Sequence, residues 1–128
     1  EAEAFRTVER TMPELNTTLA VVATDAVLDK GECQRLAVAA HDGMARAIDP
    51  IHQYVDGDIA FALATGVHEL PDNPPEAPRL AQLMMLGAAS ADVVARAIVH
   101  ATLAATTARH LVSYRDTFPT GQDVSDTS

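Results

Sequence analysis

The sequence has no tryptophan, one cysteine and few aromatic residues, and each scarcity limits the kinds of core or cross-link that the chain can form. Aromatic residues make up 4% of the 128 positions, whereas apolar residues make up 48% and include many alanines. The core must therefore be aliphatic and closely packed, as alanine-faced helices allow. Because Cys33 stands alone, an internal disulfide is excluded, and we expect a reducing, cytoplasmic location.

Positive charge is also scarce. The chain has 9 Lys and Arg residues against 18 Asp and Glu residues, which gives a net charge of −9. Nucleic acid and anionic membrane surfaces would be repelled, so we expect neither as a partner. No uninterrupted apolar run reaches the ~18 residues of a membrane span, and no signal peptide is visible. The start at Glu1 suggests a piece of a longer product or an expression-vector remnant.

Hydrophobic periodicity predicts two strands and two helices in alternation. A compact β-branched run is typical of a buried strand, and apolar residues four apart are typical of an amphipathic helix. We expect a turn at 29–31 after the first strand, a helix stop at Pro50, a second turn at Thr65-Gly66 and a bend at Gly87. The predicted elements are a strand at residues 18–24, a helix at 32–48, a strand at 59–64 and a helix at 79–107.

The remaining segments predict little regular structure. Residues 1–15 indicate a tail and linker, and the four prolines of residues 71–78 predict an extended loop. Residues 111–119 are expected to be irregular or a short strand, and residues 120–128 a polar tail. Because two strands alone do not make a stable sheet, further strands should come from another chain, another copy or an upstream region.

The junction Asn16-Thr17 lies where the polar linker enters the first strand. A hydroxyl there can attack the preceding carbonyl, which converts the peptide bond to an ester that water opens. The freed α-amine of Thr17 would have an unperturbed pKa of about 7.7–8.0, so it can act as the base for its own hydroxyl. The alternatives are a glycosylation sequon, or an Asn turn followed by a threonine with its usual strand preference.

Two carboxylates, Asp56 and Asp58, flank Gly57 just before the second strand. In an extended backbone, side chains two positions apart point the same way, so the pair could hold an ammonium group and a hydroxyl. The alternative interpretation is an ordinary Asp-Gly turn. The regular oxygen-ligand spacing of a calcium loop is absent.

No other motif predicts chemistry. The histidines lack a zinc-binding spacing, and the serines lack a nucleophile-elbow setting, so no cofactor or metal is expected and none of these residues is assigned a catalytic role. The residues considered are His41, His52, His68, His100, His110, Ser90 and Ser113.

Several blocks of sequence resemble one known family. Asn16–Ala26 (NTTLAVVATDA) is similar to the start of the small chain in the DmpA-type peptidases, peptidase family S58, which are self-processing hydrolases. Ala40–Ile48 (AHDGMARAI) and Asp56–Gly66 (DGDIAFALATG) agree with the family in order and spacing, and Ala91–Ile98 (ADVVARAI) resembles its last helix. The similarity covers nearly all of residues 16–119.

The resemblance implies a fold and a site. It implies the strand-helix-strand-helix small chain of an α+β protein, an αββα sandwich of the N-terminal-nucleophile type. Residues 1–16 would end the upstream chain, residues 17–119 would form the small chain, and residues 120–128 a tail. Thr17 would be the nucleophile, with Asp56 and Asp58 beside it. The Asn-Thr junction resembles that of the nylon-oligomer endohydrolase branch.

The same resemblance implies partners and an activity. A supporting lysine, an asparagine and oxyanion donors would lie in a large chain of the same precursor, absent here, and the αβ units would form a homo-oligomer. The expected function is an amide hydrolase for ω-amino-acid oligoamides or short peptides. The alternatives are an acyltransferase of the ornithine acetyltransferase type, which Asn16 argues against, and a non-catalytic fragment or assembly module.

Overall fold

A computed structural model describes residues 16–70, 78–109 and 111–119. The predicted tails at 1–15 and 120–128, and residues 71–77 of the predicted proline-rich loop, lie outside these ranges. The predicted alternation of strands and helices is confirmed, and the fold is mixed α+β. The elements are β1 Leu19–Ala26, α1 Lys30–Ala47, β2 Ile59–His68, α2 Arg79–Ala104 and α3 Tyr114–Thr117.

The two strands form a parallel pair, in register from Leu19 opposite Ile59 to Thr24 opposite Ala64. Parallel strands need a long crossover connection, and α1 provides it. The prediction that β2 ends at Thr65-Gly66 is wrong, because pairing resumes between Ala26 and His68 after an irregularity in which β2 holds the extra residues. Gly66 continues the strand with φ +70°, a conformation that a residue without Cβ adopts at little cost.

The sheet is buried on one face only. The inward residues of β1 include Val22 and Ala26, which are 7% and 3% exposed. The expectation of fully buried strands is therefore wrong for this part of the chain, because both helices lie on the same side of the sheet. The outward large apolar side chains are 45% to 68% exposed, and they are Leu19, Val21, Ile59, Phe61, Leu63 and Val67.

Helix α1 begins earlier than predicted because Asp29 caps it. Its carboxylate oxygen Oδ1 accepts a hydrogen bond from the Glu32 amide at 2.8 Å, and Glu32 Oε2 accepts one from the Asp29 amide at 2.9 Å. This reciprocal capping box satisfies two amides that a helix start would leave without partners. Lys30 and Gly31 are thus the first turn of the helix, whereas the sequence predicted a loop turn there.

Helix α2 crosses α1 at very short range. A Cβ built on Gly43 would lie 2.2 Å from the carbonyl oxygen of Ala91, so only glycine permits this approach. The hydroxyl of Ser90, which is buried, donates a hydrogen bond to the Leu36 carbonyl at 3.1 Å. The aliphatic core formed between the helices and the inner face of the sheet is Val22, Leu36, Ala40, Met44 and Val94.

Two predictions near the C-terminal end are corrected. Helix α2 ends at Ala104, whereas the sequence predicted a helix to residue 107. Residues 111–119 contain the short helix α3, because the Ser113 hydroxyl caps its first turn by accepting from the Asp116 amide at 3.2 Å. By length and composition alone α2 could cross a membrane. A core helix gives the same signal; 17% of the apolar window of α2 is buried, and α2 crosses α1 at Gly43.

Candidate functional site

The Asn16-Thr17 junction lies at the start of β1, against the loop that precedes β2. The amide of Gly57 donates a hydrogen bond to the Asn16 carbonyl at 3.0 Å, and the amide of Ile59 donates one to the Thr18 carbonyl at 2.9 Å. The strand pairing therefore extends back past Leu19 to the junction itself. Thr17 lies between these two anchored residues and is exposed.

Asp58 is the carboxylate that holds the junction. Its side chain is 4% exposed. Its Oδ1 accepts a hydrogen bond from the Thr18 amide at 2.8 Å, and its Oδ2 lies 2.8 Å from His52 Nδ1. Burial alone would raise the pKa of Asp58, but the hydrogen bonds from Thr18 and His52 outweigh it, so the pKa lies below the ordinary value. Asp58 is thus a charged acceptor for the residue next to the predicted nucleophile.

Asp56 has a different set of contacts. Its Oδ2 accepts a hydrogen bond from the Gln53 amide at 2.7 Å, and its own amide donates to the Gln53 carbonyl at 2.9 Å. These bonds close a tight turn just before the junction loop. The structure thus assigns the two carboxylates different partners: Asp58 contacts the junction, and Asp56 stabilises the loop. The predicted roles of both beside the nucleophile remain predictions.

Gly57, between the two carboxylates, touches the predicted nucleophile directly. A Cβ built on Gly57 would lie 2.8 Å from Thr17 Oγ1 and 3.7 Å from Thr17 Cγ2. The sequence analysis gave this glycine no role beyond a turn. In the structure it brings a backbone segment against the Thr17 hydroxyl.

Two histidines extend the hydrogen-bonded network away from the junction. His52 Nε2 lies 3.2 Å from His41 Nδ1, and the two rings are 4.9 Å apart at their centroids. If His52 Nδ1–H donates to Asp58, then Nε2 is the acceptor for His41 Nδ1–H. From the sequence, neither residue was assigned a role. The only available signal was the position of His52 in the loop leading to Asp58.

His52 also has an unusual backbone. Its φ is +57°, in the left-handed region that non-glycine residues seldom adopt. Its amide donates to Asp58 Oδ2 at 3.3 Å. The side chain and the backbone of His52 therefore both contact the same carboxylate. Across the three described ranges, no group of three or more His, Cys, Asp or Glu side chains is placed to hold a metal ion.

Comparison with known proteins identifies the family. The model of peptidase family S58 matches residues 2–113, so the chain belongs to that family. An "uncharacterized aminopeptidase" of Mycobacterium tuberculosis is 45% identical over 111 residues, which is 81% of this chain and 31% of the relative. A protein with the same description in Mycobacterium leprae is 44% identical over 119 residues, covering 90% and 33% of the two chains.

The resemblance noted from the sequence is thereby confirmed. A 6-aminohexanoate-oligomer endohydrolase of Paenarthrobacter ureafaciens is 36% identical over 59 residues, which is 46% of this chain and 17% of that protein. This similarity is more partial than that to the mycobacterial proteins. The chain spans about a third of the length of the mycobacterial relatives.

Proposed function

We propose that this chain is the nucleophile-bearing part of a self-processing amide hydrolase, in which the Asn16–Thr17 bond is cleaved and Thr17 becomes the N-terminal nucleophile. The observation that carries the proposal is the geometry of the junction. Thr17 is exposed at the start of β1, its hydroxyl lies against Gly57, and the carbonyl of the bond to be cleaved is held by the Gly57 amide.

Thr17 supplies both nucleophile and base after cleavage. The freed α-amine accepts the proton of the hydroxyl as Oγ1 attacks a substrate amide carbonyl, and the same proton protonates the departing amine. Water then hydrolyses the acyl ester and restores the hydroxyl. The charged Asp58 holds the amide of Thr18, so the strand that carries the nucleophile is fixed beside the β2 loop. Asp56 supports the site by closing the turn before that loop.

A large chain of the same precursor completes the fold in this proposal. The outer face of the two-stranded sheet exposes a continuous set of apolar side chains, and a surface of this kind is typical of a buried interface. The chain spans about a third of the mycobacterial relatives. Further strands packed on this face would give the αββα sandwich, and the αβ units would assemble into a cytoplasmic homo-oligomer.

The substrates are short peptides with a free N-terminus or oligoamides of ω-amino acids. Two of the relatives' names support this range, since one is an aminopeptidase and another a hydrolase of 6-aminohexanoate oligomers. Both names imply hydrolysis of an amide bond. Liquid chromatography of the products from a short peptide and from a 6-aminohexanoate oligomer would separate the two classes.

The test is the intact mass and N-terminal sequence of the chain, produced together with its upstream region. We expect a fragment that begins at Thr17. Thr17→Ala should abolish this fragment and all hydrolysis, because the nucleophile is removed, whereas Thr17→Ser should retain both. If the wild-type chain stays intact in this setting, or if Thr17→Ala is processed normally, the proposal fails.

A further inference from the structure

Gly57 contacts both reacting groups of the proposed cleavage. Its amide nitrogen lies 3.0 Å from the Asn16 carbonyl oxygen. Its Cα faces the Thr17 hydroxyl so closely that a Cβ would lie 2.8 Å from Oγ1. One residue of the loop before β2 therefore hydrogen-bonds to the electrophile and leaves no room for a side chain beside the nucleophile.

We propose that the Gly57 amide is the oxyanion donor for self-cleavage, and that this position requires glycine because any side chain would obstruct the Thr17 hydroxyl. The inference rests on the proposed function, since it concerns the step that creates the N-terminal threonine. The resemblance to the family led us to expect oxyanion donors in the upstream chain. This donor lies within the chain that carries the nucleophile.

The chemical step is an isomerisation followed by hydrolysis. Thr17 Oγ1 bonds to the carbonyl carbon of Asn16, and the electron pair of the C=O bond moves onto the Asn16 oxygen as negative charge. When the tetrahedral intermediate collapses, the C–N bond breaks and the hydroxyl proton ends on the Thr17 nitrogen. This leaves an ester between Asn16 and Thr17. Water hydrolyses that ester, giving the Asn16 carboxylate and the restored Thr17 hydroxyl.

The donor already binds the oxygen on which the charge develops. In the intact chain the Gly57 amide lies 3.0 Å from the Asn16 carbonyl oxygen, and an effective donor lies about 2.7–3.1 Å from the position that this oxygen occupies as an oxyanion. As the oxygen becomes negatively charged, the same hydrogen bond becomes charge-assisted and stronger. The bond is therefore more favourable in the transition state than in the intact chain, which is the requirement for catalysis.

The surrounding hydrogen bonds keep this amide in place. On one side, the turn between Gln53 and Asp56 is closed by two hydrogen bonds. On the other, Asp58 accepts from the Thr18 amide at 2.8 Å, and the Ile59 amide donates to the Thr18 carbonyl at 2.9 Å. The loop and the junction thus form a fixed frame, and the donor needs little reorganisation when the charge develops.

The first experiment removes the donor without adding atoms. Ligation at Cys33 would join a recombinant segment ending at Glu32, including the upstream region, to a synthetic segment in which glycolic acid replaces Gly57. The ester linkage lacks the amide hydrogen. We expect cleavage after refolding to slow on the order of 100-fold, as for other lost oxyanion donors. The same replacement at Gly87, in α2 away from the junction, is the control and should cleave at the rate of the ligated wild type.

The second experiment is genetic and tests the need for glycine. Gly57→Ala should slow cleavage at least about tenfold, whereas Gly87→Ala, whose Cβ would meet its nearest neighbour at an ordinary 3.7 Å, should not. Circular dichroism of both freshly purified variants, with Thr17 retained because its hydroxyl is the atom that the new methyl group on Gly57 would meet, shows whether each still folds. If the Gly57 ester variant cleaves at the wild-type rate while Thr17→Ala is inert, the donor assignment is wrong and the proposed function stands. If Thr17→Ala is cleaved, the proposed function fails.

Discussion

Gly43 and Gly57 both make close approaches that an added Cβ would disturb, but in two very different regions. At the helix crossing, a Cβ on Gly43 would lie 2.2 Å from the Ala91 carbonyl oxygen, a backbone atom that cannot rotate away. At the junction, a Cβ on Gly57 would lie 2.8 Å from Thr17 Oγ1, at the end of a side chain that can change rotamer. The steric demand is therefore rigid at the crossing and adjustable at the junction.

The surroundings of the two glycines also differ in how easily they can adjust. Near Gly43, Ala40 and Met44 are fully buried, and a displacement there must disturb a closely packed aliphatic core. Gly57 and Thr17 are exposed, and their neighbours are held mainly by hydrogen bonds. The comparison teaches that changes at the crossing should alter the free energy of unfolding, whereas changes at the junction should alter the rate of a reaction.

The largest effect on stability is expected for Gly43→Ala. The new methyl group overlaps the backbone of α2, so the helices must separate, and we expect a loss of about 3 kcal/mol in the free energy of unfolding. Urea unfolding in the Thr17→Ala background measures this without interference from cleavage. The matched control is Gly87→Ala, which should be neutral or stabilising by up to about 1 kcal/mol, because alanine favours the helix.

If Gly43→Ala is as stable as its parent, the contact at the helix crossing is not rigid, and the two glycines do not differ in this respect. The cleavage rate of the folded Gly43→Ala precursor is a second test of the difference between the two regions. That rate should stay close to wild type, because the crossing does not contact the junction. A large loss of cleavage in folded protein would mean that the two regions are coupled.

A smaller effect is expected for Asp58→Asn at the junction. The carboxylate accepts from both Thr18 and His52, and hydrogen bonds to a charged group typically contribute about 1.5–3 kcal/mol. The side-chain amide of asparagine can accept only part of these hydrogen bonds. We expect a loss of stability at neutral pH within that range, measured by urea unfolding, and slower cleavage because the Thr18 amide is less firmly held. Asp92→Asn, at an exposed carboxylate in α2, is the control.

The pH dependence of the same variant has a definite sign. The folded-state pKa of Asp58 lies below the ordinary 3.8, so its stabilisation is present above that value and is lost as the pH falls through the folded-state pKa. Asp58→Asn should therefore lose less stability than its parent when the pH is lowered below 3.8. Glu32 and Asp116, whose pKa values are also lowered, are present in both proteins. Equal acid sensitivity of the two proteins would contradict the assigned role of Asp58.

The sequence predicted the order of elements because that order depends on local patterns. The period of apolar residues identified both helices and both strands, and the entry of a polar linker into an apolar run indicated that the first strand begins just after Asn16-Thr17. Strand ends were less predictable, since the continuation of β2 through Gly66 depends on pairing with a residue far away in the sequence. The single buried face of the sheet likewise depends on which side the helices pack, and apolar strands alone do not reveal that.

The site was predictable only in part for a related reason. The spacing of Asp56 and Asp58 suggested a common target, and the structure shows a separate partner for each, the Gln53 amide for Asp56 and the Thr18 amide for Asp58. His41 and His52 come together only because α1 and the loop after it fold against each other. The hydrogen bond from Gly57 to Asn16 joins backbone atoms, so no side-chain pattern could indicate it.

The smallest effect on stability is expected for substitutions of His52, at the junction. His52→Asn keeps a side-chain donor for Asp58 and suits the left-handed backbone, which asparagine tolerates. His52→Leu removes the donor and disfavours that backbone conformation. We expect His52→Leu to lose about 1 kcal/mol and to slow cleavage, and His52→Asn to recover most of both in urea-unfolding and cleavage assays. If both variants cleave like wild type, His52 only packs in the loop, and Asp58 positions the junction without it. If His52→Asn loses as much stability and cleavage as His52→Leu, the contact with His41 matters more than the hydrogen bond to Asp58.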